Sequence, residues 1–526
     1  MASLTWARRA RRLPWFVLIP AIVAGIGTLV PIVYLVLRAF EADLETLQRL
    51  LWRERTWTLL VNTLSLTAGV LVLSTLMAVP LAWLTVRSDL RWKRFVTVLA
   101  VVPLAIPGYV VAYALISLGG VNGFLSQLFG AVVPRPSGYW GAVAALSLYT
   151  YPYLFLNVRA ALLGLDPSLE ESARSLGHGS RAVTWRVVLP QLRPALLAGW
   201  LVIALYVLGD FGVVALMRYE AFSYAIYLQY SSAFDRTYAA LLSLVLLGLT
   251  LLIVGTEGRL LGRRRYARVG SGAQRAVVMT RLRRWAPLAY GYVASVLLAA
   301  LGLPFLVLGS WLVLAPPDLA AWRSVAEAFV RTASVAAPAA LVTALAAMPI
   351  AYLAARVRLR GSRLIERLAY LGYAIPPVSL ALAMVFFSLR AVPWLYQTAT
   401  LLITAYVISF LALAIGPIRS ALLQVPPRLE EAARSLGRRP FVAFFETTFP
   451  LIRRPVVAGT ALVLMVAMKE LPLTFLLAPT GFTTLSVRVF TRTSEGMMAE
   501  AAPFALAIVL FSSLFVGLLV SYEGKR

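Results

Sequence analysis

Long apolar runs alternate with short basic segments along almost the whole chain. A helix that crosses a bilayer needs roughly 20 apolar residues, and the runs have that length. They predict spans near 16–37, 58–86, 95–118, 139–163, 195–217 and 238–261, then near 286–314, 329–355, 365–389, 396–418, 455–478 and 502–521. The expected fold class is therefore an all-α membrane protein of about 12 transmembrane helices. Two polar stretches of helical composition interrupt this pattern. One is Leu169-Glu170-Glu171-Ser172-Ala173-Arg174-Ser175-Leu176-Gly177, and the other is Leu429-Glu430-Glu431-Ala432-Ala433-Arg434-Ser435-Leu436-Gly437. Eight of their nine positions are identical, at an offset of 260.

The duplication extends well beyond them. Pro190 and Gly199 return as Pro450 and Gly459 at the same offset. Earlier in each half the offset is 269, matching Asn62-Thr63 with Arg331-Thr332, Pro80 with Pro349, Arg87 with Arg356, and Ala105-Ile106-Pro107 with Ala374-Ile375-Pro376. A longer loop near 119–138 accounts for the change. The chain thus divides into a first half at 1–262, a basic linker at 263–285 and a second half at 286–526. Six spans per half is an even number, so both halves face the same way, as a parallel repeat about an axis along the membrane normal. A path along that axis is the natural route for a solute.

Composition narrows the function. The chain is 60% hydrophobic and 13% charged, against about 25% charged in soluble domains. Its net charge of +27 is a matter of topology and does not point to nucleic acid, because the charges sit between apolar spans. With the N-terminus inside, the inner segments carry 36 of the 49 Lys and Arg residues. That bias puts both termini and both polar stretches in the cytoplasm. Arg8, Arg9, Arg11 and Arg12 resemble the basic start of a signal peptide, but the run after them is long and lacks a small-residue cleavage site, so an uncleaved first span is expected. With no cysteine and a single histidine, His178, disulfides, thiolate metal sites and multi-histidine sites are excluded. None of the three lysines ends a phosphate-cradling Gly-x-x-x-x-Gly-Lys-Ser/Thr loop. ATP-driven transport would therefore need its ATPase on another subunit, with no cofactor in this chain.

Ser168-Leu169-Glu170-Glu171 has capping-box spacing and follows Pro167, so a short helix is expected to start there; the second copy starts after Pro426-Pro427. Ala173 and Gly177, and likewise Ala433 and Gly437, lie four residues apart, as a small-residue face that another surface could approach. The alternative is an interfacial helix lying on the bilayer. These stretches resemble the EAA motif of ABC importer permeases. They read Glu171-Ser172-Ala173, Gly177 and Leu189-Pro190, then Glu431-Ala432-Ala433, Gly437 and Phe449-Pro450, departing at Ser172 and Phe449. The resemblance covers nearly the whole chain. It implies the type I ABC importer fold, with Glu170, Glu171, Ala173, Gly177, Glu430, Glu431, Ala433 and Gly437 coupling to an ATPase. It also implies two copies of a cytoplasmic ABC ATPase holding ATP and Mg, one extracytoplasmic solute-binding protein, and a place in the inner membrane.

Asp210 and Glu470 each lie eleven residues after the repeated glycine and fall inside predicted spans. A carboxylate at a span centre costs roughly 2.5–3.5 kcal/mol on insertion scales, so a matched pair calls for a reason. Three readings stay open: a buried network with Lys469 or an arginine; a solute path on which the acids, with Lys469 and Tyr206, contact a cation; or a proton relay. On the second reading the acids would face each other across the axis. Hard cations favour such oxygen ligands, and transient Fe3+ at Asp210 and Glu470 is one form of it, with no stable metal site. The surroundings resemble the ferric-iron branch of these fused permeases: Leu208-Gly209-Asp210-Phe211-Gly212, Arg218-Tyr219, Tyr227 to Arg236, Lys469-Glu470-Leu471-Pro472 and Phe482-Thr483-Thr484-Leu485. Thr483 stands where that branch usually has an Asp. Thiamine, phosphonate and polyamine permeases share the layout. An ion-coupled secondary transporter would work without an ATPase, and no constellation for a membrane enzyme is present.

Overall fold

The computed structural model describes residues 15–232, 235–261, 279–357 and 360–523. The N-terminal arginines and most of the linker at 263–285 lie outside them. The first half contributes α1 (Trp15–Gly27), α2 (Val30–Ala39), α3 (Leu44–Leu51), α4 (Glu54–Arg87), α5 (Lys93–Val101), α6 (Gly108–Ile116), α7 (Phe124–Phe129), α8 (Gly138–Gly164), α9 (Pro167–Ser175), α10 (Ser180–Val183), α11 (Leu189–Gly209), α12 (Gly212–Leu216), α13 (Phe222–Ser231) and α14 (Arg236–Leu261). The second half contributes α15 (Ala286–Leu297), α16 (Leu303–Leu314), α17 (Leu319–Arg356), α18 (Arg360–Ala374), α19 (Pro377–Ala391), α20 (Ala399–Gln424), α21 (Arg428–Ser435), α22 (Pro440–Ala443), α23 (Phe449–Met468), α24 (Pro472–Leu477), α25 (Leu485–Ser494) and α26 (Met498–Glu523). No strand occurs among the described residues.

By length and apolar composition nine described spans can cross a bilayer, or eleven if each of two bent helix pairs counts once. The expected span at 139–163 forms α8, which falls outside that count. It has 27 residues and is buried along most of its length. Its packing among other helices accommodates Tyr139, Tyr149, Tyr151 and Tyr153.

Two spans expected to be straight bend sharply. The stretch 93–116 bends by 92° between residues 105 and 108, and 364–391 bends by 105° between 374 and 377. These are the Ala-Ile-Pro repeats. Proline lacks the N–H that would continue a helix and disfavours helical geometry in the residue before it, so Ile106 is extended, with ψ 120°.

The chain forms two compact units. One takes the residues up to 38 together with 330–483; the other takes 39–329 with 484–526. The division cuts across the sequence repeat. In the first unit α1 packs on α18, and Thr28, at the break between α1 and α2, donates to the Leu368 carbonyl at 2.8 Å. In the second unit α16, from the second half, packs on α6 and α26. The core of the second unit is α8 held between α4 and α11. Gly199 makes the α8–α11 approach possible, since a β-carbon there would lie 2.5 Å from Leu154 Cδ1.

Candidate functional site

The two polar stretches fold as α9 and α21. The helix start in the first copy differs from the capping-box expectation. Asp166 is the N-cap, accepting from the Ser168 N–H at 3.0 Å, with Pro167 at the first helical position. Ser168 lies inside the helix, because proline fits the first turn, where its missing N–H has no partner to lose. In the second copy Pro427 precedes the helix and no side chain caps it.

Each adjacent glutamate pair is divided by the packing. Glu170 is 4% exposed and Glu430 5%, while Glu171 and Glu431 face out. Arg87, at the end of α4, donates to Glu170 at 2.6 Å, with both side chains buried. Arg174 adds a contact at 3.4 Å. Glu430 accepts from Tyr352 at 2.8 Å and from Thr448 at 2.6 Å, and Arg356 at the end of α17 stands 3.9 Å away. The matched arginines of the repeat thus anchor the matched polar helices to the bundles. Within each unit the long span and the polar helix are tied through a buried ion contact.

The small-residue face is not formed as expected. Ala173 and Ala433 point inward, beside the buried glutamates. Gly177 and Gly437 instead terminate the helices at φ +83° and +86°. His178 N–H reaches the Ala173 carbonyl and Gly177 N–H the Arg174 carbonyl, at 3.1 and 2.9 Å. The second copy repeats both bonds with Arg438 and Gly437. This double closure requires a left-handed residue, where glycine carries no β-carbon penalty. The surface these helices offer has a different chemistry: Leu176 is 79% exposed and Leu436 85%. Those leucines were not singled out from the sequence, although their repetition beside a helix-ending glycine was the available signal. Behind each helix the chain widens into one π-helical turn, Thr184–Val188 and Phe444–Thr448, and both turns pack against the polar helices.

The two acids are not in mid-helix. Asp210 ends α11 in extended conformation, and its carboxylate accepts from Val213 N–H at 2.8 Å, capping α12. Glu470 follows the end of α23 at Lys469 and accepts from Leu473 N–H at 3.2 Å, at the start of α24. Each expected straight span is therefore broken at its acid, and the carboxylate satisfies an N–H freed by the break. A tyrosine of the preceding long helix joins each break. Tyr149 of α8 donates to Asp210 at 3.1 Å. In the other unit Tyr406 of α20 meets Thr474, whose hydroxyl donates to the Glu470 carbonyl at 3.0 Å. Tyr206 lies in the same aromatic cluster, stacking on Tyr153 with centroids 4.8 Å apart and lying edge-on to Tyr149. Among the described residues no group of three His, Cys, Asp or Glu side chains could hold a metal ion.

Duplicated, anchored surface helices beside bent and broken spans define the membrane subunit of a transporter, built as two fused halves. The chain belongs to the family described as "Binding-protein-dependent transport system inner membrane component", whose pattern it matches twice, over residues 71–260 and 347–523. It is 34% identical over 518 residues, 98% of its length and all of the relative's, to the Fe(3+)-transport system permease protein FbpB 2 of Haemophilus influenzae. It is 22% identical to the ferric transport system permease protein FbpB of Actinobacillus pleuropneumoniae, over 87% of this chain and 71% of that one. The molybdenum transport system permease protein ModB of H. influenzae is 30% identical over 29% of this chain and 69% of its own. The chain is accordingly a multi-pass inner-membrane transport subunit of an ABC importer and not an enzyme.

Proposed function

We propose that this permease carries ferric iron from an extracytoplasmic binding protein into the cytoplasm, driven by two copies of a separate ATPase. The observation that carries the choice of solute is the end-to-end similarity to a protein named for Fe(3+) transport. Both termini, α9 and α21 are cytoplasmic in this reading. Leu176 and Leu436 enter apolar clefts on the ATPase, Glu171 and Glu431 meet polar groups at the cleft rim, and the buried Glu170 and Glu430 pass the push to α4 and α17. Ala173 and Ala433 keep each helix close to its bundle, and Gly177 and Gly437 shape its tip. ATP and Mg reside in the ATPase, and this chain holds no cofactor.

Asp210, Glu470, Lys469 and Tyr206 lie along the solute path, and the two carboxylates give Fe3+ transient oxygen contacts. The helix breaks support this use: within a bilayer, non-helical backbone is tolerated only where it is buried in protein or lines a water-filled cavity. The test is radioiron uptake into proteoliposomes holding the full chain, its ATPase and its binding protein. Uptake that requires both partners and ATP is expected. Uptake without ATPase would mean ion-coupled transport instead, and transport of molybdate but not iron would overturn the solute.

A further inference from the structure

An apolar cavity of about 190 Å³ opens beside α21, lined by Val17, Pro20, Met348, Phe441, Phe444 and Phe445 among others, with Tyr352 and Arg434 as its polar members. All of these residues belong to one compact unit. Leu345 at its edge is 63% exposed, so the cavity is open outward. Tyr352, one turn before the end of α17, also holds Glu430. The cavity therefore sits where a long apolar span meets a polar surface helix.

Arg434 is the feature that selects an occupant. Its counterpart Arg174 pairs with Glu170. In the second copy Tyr352 and Thr448 occupy the Glu430 carboxylate. Among the described residues Arg434 makes no ion pair, and its Nε is buried without a hydrogen-bond partner. Neighbouring Arg438 is already engaged by Glu446 at 3.2 Å. The walls differ between the copies as well: Phe441, Phe444 and Phe445 replace Arg181, Thr184 and Trp185. The phenylalanines pack on one another, with Phe441 and Phe445 centroids 4.6 Å apart.

An apolar slot with one cation outside any ion pair at its polar end matches an acyl chain carrying a negative headgroup. We propose that this cavity binds one acyl chain of an anionic phospholipid of the cytoplasmic leaflet, with its headgroup on Arg434, so that lipid charge bears on the second surface helix and not on the first. This rests on the cytoplasmic placement of α21 proposed above.

Native mass spectrometry of the detergent-purified full chain, titrated with phosphatidylglycerol or phosphatidylcholine, tests it. One retained lipid is expected, with phosphatidylglycerol preferred. Arg434→Gln should cut that preference about fivefold, the effect of one near-surface cation, while a chain is still held. Met348→Trp, which fills the slot, should abolish retention. Leu345→Phe serves the same end should the tryptophan variant unfold, and thermal melting monitors each variant. No lipid preference in the wild type, retention unchanged in the filled variants, or a protein occupying the slot in place of lipid would each overturn the proposal. Lipid retention is read without transport. A failure here leaves iron uptake standing, and a failure of uptake leaves the lipid result standing.

Discussion

Removing Arg87 should release α9 from its bundle. In Arg87→Met, Glu170 stays 5% exposed at its side chain but loses the 2.6 Å partner. Removing one member of a buried ion pair typically costs about 3–5 kcal/mol, because the other charge is left uncompensated. The surviving contact to Arg174, itself 36% exposed and 3.4 Å away, offsets only about 0.3–0.5 kcal/mol of that. The expected net loss for the docked helix is about 3 kcal/mol, roughly a hundredfold in its undocking equilibrium. Amide exchange over residues 167–177 of the intact chain in nanodiscs would report it directly, as faster exchange confined to α9 and its junctions. Arg87→Met combined with Glu170→Met should recover most of the protection, since well-packed apolar residues commonly replace a buried pair at no loss. Arg356→Met should cost less, because Glu430 keeps its bonds from Tyr352 and Thr448. Unchanged exchange in Arg87→Met, or a double variant as unprotected as the two single effects summed, would refute the anchoring argument.

Leu176→Asp and Leu436→Asp should leave the melting temperature within a degree or two while sharply reducing ATPase co-purification, because these side chains are bare in the free chain; intact co-purification in both would remove the leucines from the contact. Gly177→Trp should fray the end of α9, as a non-glycine residue in the left-handed region costs about 1–2 kcal/mol, and should weaken ATPase binding without blocking membrane insertion, read by pull-down and membrane fractionation. Asp210→Asn can still accept from Val213 N–H and so should preserve folding. If the charge serves the solute, iron uptake falls with Asn as it does with Asp210→Ala; normal uptake with Asn and misfolding with Ala would assign the residue to the helix break alone.

Much of the architecture was legible in the residues because it follows from the solvent. Apolar runs of bilayer length have few other fates, and a duplicated sequence implies duplicated structure. The offset of 269 even paired Arg87 with Arg356 without revealing what either touches. Less legible was the orientation of the polar helices. Leu169, Ala173 and Leu176 form an ordinary apolar stripe along α9, so helical periodicity would turn the leucines inward. Instead Leu169 is 44% exposed and Leu176 more so, because Glu170 turns inward to pair with Arg87. Breaks at Asp210 and Glu470 were hidden for a related reason. Hydropathy averages over a window, so a step of two or three residues between two helical pieces leaves the average unchanged.

From its own residues the chain determined that it is a membrane protein of two fused halves with a duplicated polar helix in each, since these depend on composition and repetition alone. Tertiary structure decided which glutamate of each pair is buried and that the first span of each half packs on elements of the other. It also decided that each membrane carboxylate stands at a break beside a tyrosine-bearing helix. Those outcomes depend on contacts between residues far apart in sequence, which no local pattern encodes.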